Sequence, residues 1–291
     1  MKLLTVLSYV TVTTVLVIIS LILMFLTACT GVQKDLSVSA ETSSAPVEVR
    51  TVNISKEEVK QKTIKLMTYN IRHGVGIDNH YDLDRVIQVI KEADPDIVSL
   101  NEIDHMIPRT FMQKQDSMIA EGLGYNFVFG YNINFGSKYG NVLLSKHPIK
   151  TYINHSLPKD NVSEPRGLIE ADIDIDGETI KVFSTHLSIV SAERPKQVEY
   201  IKEKLEEIQE TKIMMGDFNA LPDSDEIKQI REVMQDSARE EYKTFSSDSP
   251  YARIDYIFVS EEIQVQSSEA IESEASDHFP VVAEVVLIDK D

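Results

Sequence analysis

Several short apolar segments of this chain end on a polar residue, and this pattern constrains the fold more than any other feature. Segments of this length and composition are typical of buried strands. Residues at strand ends, held by a rigid scaffold, are where functional sites are usually built. The polar residues are Asn70 after Ile64–Tyr69, Glu102 after Ile97–Asn101, His186 after Thr179–Thr185, Asp217 and Asn219 after Ile213–Gly216, and Asp277 and His278 before Val281–Ile288.

The segments between these strands predict hairpins and helices. Apolar and acidic residues alternate in Ile169–Asp176, which predicts a half-buried strand, and Asp176-Gly177 is typical of a hairpin turn. Many strands with hairpins and few helices predict an α/β fold of the α+β kind, in which stacked sheets are flanked by helices. Further strands are predicted at Tyr125–Tyr131, Asn141–Ser145 and Ile254–Val259, and helices at Leu83–Ile90 with Asp82 as cap, at Asp116–Leu123, and at Val198–Ile208 with Ser191 as cap.

Residues 1–28 stand apart from this pattern as a signal peptide or membrane anchor. Lys2 is the only charged residue before Cys29, and the apolar run Leu3–Ala28 has the character of a targeting or anchoring segment. The run ends in Leu26-Thr27-Ala28-Cys29, which resembles the lipobox of bacterial lipoproteins. Cys29, the only cysteine of the chain, is then the predicted site of lipidation. The alternative is an uncleaved transmembrane helix, since the run is long enough to span a bilayer.

Either alternative places the rest of the chain at the extracytoplasmic face of a bacterial membrane. Residues 29–62 are poor in large apolar residues and show no clear period, which predicts a lipidated tether. Residues 63–291 form the predicted globular domain, which is long enough to bury a single sizeable core.

The charge of the chain bears on its partners. The net charge is −18, from 29 Lys and Arg against 47 Asp and Glu, and the charges of residues 1–50 cancel. Proteins that bind duplexes usually offer a basic footprint, because phosphate contacts supply most of the affinity. Tryptophan is absent, and no basic groove with interleaved aromatic residues is visible in the sequence. The acidic body therefore disfavours a nucleic-acid substrate, although bound metal ions would reverse the charge locally.

The polar residues at the strand ends have a chemistry in common. Taken one by one, they have ordinary explanations as turn caps or solvated carboxylates. Taken together, the carboxylates of Glu102 and Asp277 and the amide of Asn70 are hard oxygen ligands that suit Mg²⁺ or Mn²⁺. Thiolate ligands are missing from the domain, so a zinc site of the common kind is not expected.

Arginine and histidine complete the candidate set. Arg166 offers a planar fork for phosphate oxygens, and histidines such as His186 and His278 can titrate near neutral pH. The other histidines, His73 among them, are assigned to the surface or the core.

The candidate residues other than Arg166 lie in six short motifs, which are Thr68-Tyr69-Asn70-Ile71-Arg72, Asn101-Glu102-Ile103-Asp104, Thr185-His186-Leu187, Gly216-Asp217-Phe218-Asn219, Arg253-Ile254-Asp255-Tyr256 and Ser276-Asp277-His278-Phe279-Pro280. At this order and spacing the motifs resemble those of the endonuclease/exonuclease/phosphatase superfamily, in particular its poorly defined bacterial metal-dependent hydrolases, over Ile64–Val285. Arg166 lies in Pro165-Arg166-Gly167, which resembles a middle segment of the same family. The resemblance implies a four-layered α/β sandwich, in which two mixed or antiparallel sheets pack face to face with helices outside, and a site at one edge of both sheets.

The resemblance also implies a role for each carboxylate and amide. Glu102 is expected to be the principal metal ligand, helped by Asn70, and Asp277 to be a second carboxylate on the metal side. Asp217 is expected to orient or deprotonate the attacking water. Asn219 would hold the phosphate or that water.

The imidazoles and Arg166 are assigned to the phosphate by the same resemblance. Asp255 is expected to fix and charge His278, because a paired carboxylate raises the pKa of an imidazole. His278 would then donate a hydrogen bond to a phosphate oxygen. His186 is expected near the leaving oxygen, as an acid or as a phosphate donor, and Arg166 is expected to bind the phosphate.

The implied activity is Mg²⁺- or Mn²⁺-dependent hydrolysis of a phosphodiester or phosphomonoester by a monomer. The motifs do not choose the substrate, and the acidic body favours a phosphorylated small molecule or a phospholipid head group. Two alternatives are an extracellular nuclease and a non-catalytic binding protein on the same fold.

Overall fold

The computed structural model describes residues 61–160 and 163–288, and its strands form two sheets of six. The first sheet contains β1 (Gln61–Asn70), β2 (Ile97–His105), β3 (Asn126–Asn134), β4 (Lys138–Ser145), β11 (Gln264–Ala270) and β12 (Val281–Ile288). The second contains β5 (Ile149–Ser156), β6 (Gly167–Ile175), β7 (Glu178–His186), β8 (Lys212–Asp217), β9 (Gln235–Asp236) and β10 (Asp255–Val259). The helices are α1 (Leu83–Ala93), α2 (Gln115–Leu123), α3 (Arg194–Glu206) and α4 (Asp225–Arg231).

The predicted signal peptide or anchor, Cys29 and most of the predicted tether lie outside the described residues. The last two tether residues, Gln61 and Lys62, belong to β1 and pair with Ile288 and Leu287 of β12. None of the helices in the described part of the chain combines the length and apolar character that crossing a bilayer requires.

Each sheet brings its polar strand ends to one level. The strand order of the first sheet is β11-β12-β1-β2-β4-β3, and the parallel pair β1 and β2 aligns Asn70 with Asn101. The strand order of the second is β5-β6-β7-β8-β10-β9, and the parallel pair β7 and β8 aligns His186 with Asp217. Asp255, the first residue of β10, pairs with Asp217. We call these strand ends, together with the loops at the same end of the two sheets, the polar edge.

The sheets and helices form four layers, as predicted. One hydrophobic cluster joins the facing sides of the two sheets, and two others join each sheet to its outer helices. The inner cluster includes Leu66 and Ile97 of the first sheet with Val182 and Ile213 of the second; α1 and α2 pack on the first sheet through Val86, Ile90 and Ile119, and α3 and α4 on the second through Val198, Ile201 and Ile227.

Side chains that face the inner core change from apolar to polar as they approach the polar edge. Alternate residues of a strand face the same side, so Leu66, Thr68 and Asn70 of β1 share the inner face. The candidate site is thus a continuation of the inter-sheet core. The same progression runs through Ile97, Ser99 and Asn101; Val182, Ser184 and His186; Ile213, Met215 and Asp217; and Val259, Ile257 and Asp255.

The structure differs from the prediction at two helices and three strands, since α4 (Asp225–Arg231) was not predicted and α3 begins at a different residue. Helix α3 begins at Arg194 with Glu193 at its cap position, rather than after Ser191, and Pro195 occupies its first turn. Proline is preorganised for that position, which sets the start of the helix. Strands β5, β9 and β11 were not predicted. The outer strands β5 and β11 are largely exposed or polar, and β9 has only two residues, so none carries a clear apolar signal.

Candidate active site

Asn101 joins the two sheets at the polar edge. Its buried amide nitrogen donates to the carbonyl oxygen of Thr185 at 2.9 Å and to Oδ1 of Asn141 at 3.0 Å. Its amide oxygen accepts from the backbone N–H of Asp217 at 3.0 Å. Buried polar groups without partners are costly, so this side chain fixes the position of the Asp217 backbone. No role was predicted for Asn101 from the sequence.

Asn70 holds two carboxylates together. Its amide nitrogen donates to Oε1 of Glu102 at 3.2 Å and to Oδ2 of Asp217 at 3.0 Å. Its amide oxygen accepts from the backbone N–H of Arg72 at 3.1 Å. In this orientation the nitrogen, rather than the oxygen, faces the carboxylates. Metal ligation by the Asn70 oxygen stays a prediction and requires the amide to turn round.

A β-bulge directs Glu102 into the site. The register between β2 and β4 shifts between Leu100 and Ile103, and Glu102 has a positive φ of 63°. Because Asn101 faces inward, regular alternation would point Glu102 to the opposite face of the sheet. Bulges re-aim side chains and are common beside active sites. This one brings the Glu102 carboxylate to the Asn70 amide.

Glu102 is ionised at neutral pH. Its burial alone would raise the pKa, but His73, His186, the Asn70 hydrogen bond and His278 together lower the pKa of Glu102 to about 2. The closest imidazole is that of His73, whose Nδ1 lies 3.7 Å from Oε2 of Glu102. A half-buried carboxylate that keeps its charge is a suitable ligand for a hard cation.

His278 and Asp255 form a buried pair. Nδ1 of His278 donates to Oδ2 of Asp255 at 2.9 Å. Burial alone would lower the pKa of His278, but the charge and hydrogen bond of Asp255, with Asp217 and Asp277, raise it to about 10. The imidazole is therefore a charged donor at neutral pH, and the predicted effect of Asp255 is confirmed in direction.

Asp217 lies between the two imidazoles. Its Oδ2 is 3.4 Å from Nε2 of His186 and 3.8 Å from Nε2 of His278, while its Oδ1 accepts from the backbone N–H of Asn219 at 2.8 Å. Burial and the negative charge of Asp255 raise the pKa of Asp217 against the opposing effect of His278. A carboxylate with a raised pKa in a cleft has the properties of a general base.

Arg166 influences the protonation state of His186. The guanidinium is buried, and its Nη1 lies 3.2 Å from Nδ1 of His186 and 2.8 Å from Oε1 of Glu164. Burial and the charge of Arg166 lower the pKa of His186 well below its ordinary value. Because a guanidinium only donates, neutral His186 carries its proton on Nε2, towards Asp217. The two histidines therefore differ, because the pKa of His186 is lowered and that of His278 is raised.

Asn219 and Asp277 lie beside this cluster. The amide nitrogen of Asn219 donates to the carbonyl oxygen of Leu187 at 3.0 Å, which ties the loop after β8 to the loop after β7. The carboxylate of Asp277 lies 3.6 Å from Nε of Arg72 and is partly exposed. All the predicted site residues thus reach the polar edge, while their individual roles stay predictions.

The donor set fits a hard divalent cation. Ligand atoms of Asp217, Asp255 and His278, all buried, lie within 4.8 Å of one another, but the protonated imidazole of His278 cannot ligate a metal, so this cluster offers only its carboxylate oxygens. The carboxylate of Glu102 shares the Asn70 amide with Asp217. Buried carboxylates in such a concentration need partners or metal ions, and their oxygens are the ligands that Mg²⁺ and Mn²⁺ prefer.

Besides Asn101, two further residues of the site, His73 and Gly216, were given no role from the sequence. His73, assigned to the surface or core, lies beside Glu102, and its place directly after the Asn70 motif is the signal that could have found it. Tyr139 is buried, and burial and the charge of Glu102 raise its pKa. A Cβ at Gly216 would lie 1.9 Å from the Thr185 carbonyl oxygen, so only glycine lets β8 approach β7 directly before Asp217.

Comparisons with known proteins agree with this geometry. The family model described as the Endonuclease/Exonuclease/phosphatase family matches residues 67–278. No curated protein is similar in sequence to this chain. Similar solved structures include an endonuclease/exonuclease/phosphatase from Beutenbergia cavernae DSM 12333, at 22% identity and a TM-score of 0.65, covering 77% of this chain and 71% of that one.

Two further structures have similar folds. The mannosyl-6-phosphatase of Bacteroides thetaiotaomicron VPI-5482 has 20% identity and a TM-score of 0.66, covering 77% of this chain and 100% of that one. The human nocturnin catalytic domain with a bound sulfate anion has 17% identity and a TM-score of 0.60, covering 80% of this chain and 97% of that one. At these identities the likeness concerns the fold.

Proposed function

Because the chain belongs to the endonuclease/exonuclease/phosphatase family, we propose that it hydrolyses a phosphodiester or phosphomonoester with Mg²⁺ or Mn²⁺ as cofactor. The observation that carries this proposal is the network in which one amide, that of Asn70, holds Glu102 and Asp217, while Asp217 faces His278. It joins a cation-binding carboxylate, a carboxylate with a raised pKa and a charged imidazole in one cleft. A silent binding protein would not need all three.

Glu102, Asn70 and Asp277 would hold the cation. Glu102 supplies a permanently ionised oxygen, because its pKa is lowered to about 2. When bound, the cation neutralises part of the charge on the phosphoryl oxygens and polarises the ester. Before the cation binds, one hydrogen bond from the Asn70 amide nitrogen keeps the Glu102 carboxylate in place, and ligation by the Asn70 oxygen would replace this bond when the amide turns round.

Asp217 orients and deprotonates the water that attacks phosphorus. Its raised pKa makes the carboxylate a better proton acceptor than an ordinary aspartate. Asn219, positioned by its backbone bond to Asp217 and its side-chain bond to Leu187, holds the water or a phosphate oxygen. The attack is in line with the leaving oxygen.

Cationic and neutral donors complete the site. His278, charged through Asp255, donates to a non-bridging phosphate oxygen and stabilises the charge that develops there. His186, neutral with its proton on Nε2, acts as a hydrogen-bond donor near the leaving oxygen. Arg166 fixes that tautomer and attracts the phosphate.

The substrate we favour is a phosphorylated small molecule or a phospholipid head group. The net charge of −18 repels polyanions at long range. One structural neighbour is described as a mannosyl-6-phosphatase. We further propose that the monomeric domain acts at the outer face of a bacterial membrane, held there by a lipid on Cys29 or by an uncleaved anchor.

A substrate panel tests this function. Purified full-length protein in detergent is assayed with Mn²⁺ or Mg²⁺ on bis-p-nitrophenyl phosphate, p-nitrophenyl phosphate, sugar phosphates, phospholipids, plasmid DNA and RNA, with EDTA as control. We expect turnover of one or more of the small esters or phospholipids, and its loss in EDTA. Preferred cleavage of DNA or RNA would instead identify a nuclease, and inactivity on all substrates would contradict the proposal.

A further inference from the structure

Exposed apolar side chains gather at the polar edge. Seven large apolar side chains of the described residues expose half or more of their surface. One, Ile153, lies on the outer strand β5. The other six lie in loops of the polar edge, and we call them the apolar rim: Phe111, Met112, Phe135, Ile189, Leu221 and Tyr251.

This distribution is one-sided. The rim residues come from five different loops, namely those between β2 and α2, β3 and β4, β7 and α3, β8 and α4, and β9 and β10. Among the described residues, the loops at the opposite ends of the strands expose no large apolar side chain. Single exposed apolar residues are ordinary, but their confinement to one end of the domain indicates a contact surface.

The hairpin tip carries the most exposed member of the rim. Phe135 is 93% exposed and lies between β3 and β4. Lys138, where β4 begins, pairs with His105, four residues beyond Asn101 on β2. At the rise of a strand, the hairpin therefore extends roughly 13 Å past the level of the site residues. A flat surface that approaches the polar edge therefore contacts Phe135 before it reaches the level of the site residues.

The rim is also joined to the site. The rings of Tyr251 and Phe245 are 5.5 Å apart, and those of Phe245 and His278 are 4.8 Å apart. Ile189 follows His186 by three residues, and Leu221 follows Asn219 by two. The rim therefore borders the proposed phosphate site.

The charge around the rim indicates which surface it fits. The five rim loops are neutral in a strongly acidic body, and no excess of Lys and Arg is present to attract an anionic surface. A surface without net charge is the complement of such a rim. The charged residues of these loops are Arg109, Lys114, Arg239, Lys243 and Arg253 against Glu193, Asp223, Glu240, Glu241 and Asp248.

We propose that the apolar rim enters the head-group region of a zwitterionic phospholipid bilayer and places the site over lipid phosphoesters. This proposal rests on the proposed function for the chemistry, and it narrows the substrate class to phosphoesters presented at a membrane surface. Side chains that reach the boundary of the acyl chains provide such binding through apolar burial. Because the contact is apolar, it should withstand added salt.

The chain between Cys29 and β1 is long enough for the polar edge to face the membrane. β1 begins at Gln61, at the end of the domain opposite the polar edge. Residues 30–60 could span at most ~100 Å, whereas a domain of this size is roughly 45 Å across. An attachment at Cys29 therefore allows the polar edge to face the same membrane.

Tryptophan fluorescence tests the proposal, because the chain contains no tryptophan. Full-length Phe135→Trp is reconstituted into phosphatidylcholine vesicles with and without lipids brominated on their acyl chains. The matched control is Phe127→Trp, since Phe127 lies on the same strand, is 38% exposed, and pairs with Leu144 near the opposite end of the sheet. Turnover of soluble bis-p-nitrophenyl phosphate is measured for both variants.

We expect a blue shift and loss of most emission for Phe135→Trp in brominated vesicles, retained at high salt, with little quenching of Phe127→Trp. Equal quenching of both variants, or none at Phe135→Trp, would overturn the rim proposal. The soluble assay separates the two proposals, because turnover without quenching refutes the docking surface alone, whereas quenching without turnover refutes the proposed function alone.

Discussion

Replacing Asp217 by asparagine should lower kcat by roughly a thousandfold or more, because it removes the proposed proton acceptor. The amide oxygen of asparagine can still accept from the backbone N–H of Asn219, so the loop after β8 should keep its conformation. The amide nitrogen then replaces the oxygen that accepts from Asn70, so that hydrogen bond is lost while the loop contact is kept. The measurement is kcat on bis-p-nitrophenyl phosphate at saturating Mn²⁺, or on the panel's best substrate.

The same variant should be as stable as the wild type or more stable. The pKa of Asp217 is raised in the folded protein, so ionisation of this group opposes folding once the pH exceeds its ordinary value. Asparagine carries no charge and removes this cost, which we expect to offset the lost hydrogen bond from Asn70. The matched control is Asp223→Asn, an exposed residue of the same loop, which should leave kcat and Tm unchanged. A folded Asp217→Asn variant with near-native kcat would exclude Asp217 as the base.

Replacing His278 by alanine should lower kcat by about a hundred- to ten-thousandfold, since a charged donor to the developing phosphoryl charge is lost. The matched control is His155→Ala. His155 also pairs with a carboxylate, Glu170, at 2.8 Å, but it faces Tyr200 of α3 on the outer side of the second sheet and not the inner side that carries the site. We expect His155→Ala to affect stability and to spare kcat. Equal kcat values for the two variants would contradict the role of His278.

The pH profile separates the positioning role of Asp255 from a structural one. With Asp255 present, the pKa of His278 is raised to about 10, so the donor stays charged through neutral pH and is lost only as the pH rises through that value. In Asp255→Asn the raising charge is absent. The alkaline loss of kcat should therefore move to lower pH, whereas a purely structural defect would lower kcat equally at every pH.

The inward face of the site could be predicted from the sequence because it follows the period of a strand. Asn70, His186 and Asp217 end apolar strands in register with the core, and that periodicity is visible without a structure. The layer order followed from the resemblance in motif order. The outer strands β5 and β11 were not predicted, because their side chains are mostly exposed or polar and give no apolar pattern.

Features that depend on contacts between distant segments could not be predicted. Glu102 reaches the site through a bulge, which regular alternation does not foresee. Asn101 bridges partners from β4, β7 and β8, which are distant in sequence. The opposite pKa directions of His186 and His278 arise because one imidazole is buried beside Arg166 and the other beside Asp255. The pKa of a histidine departs from its ordinary value because of its neighbours in the folded protein, and those neighbours are not visible in the sequence.

The central claim is that a hard cation is held by Glu102 in the cleft that contains Asp217 and His278. The direct measurement is a Mn²⁺ titration of the full-length protein, followed by the EPR signal of the unbound ion. Wild type is compared with Glu102→Gln, and with Glu121→Gln as the matched control on the exposed surface of α2. We predict that Glu102→Gln binds Mn²⁺ at least about tenfold more weakly than wild type, because it loses a charged oxygen ligand, and that Glu121→Gln binds it normally. Equal Mn²⁺ affinity in wild type and Glu102→Gln would contradict the claim.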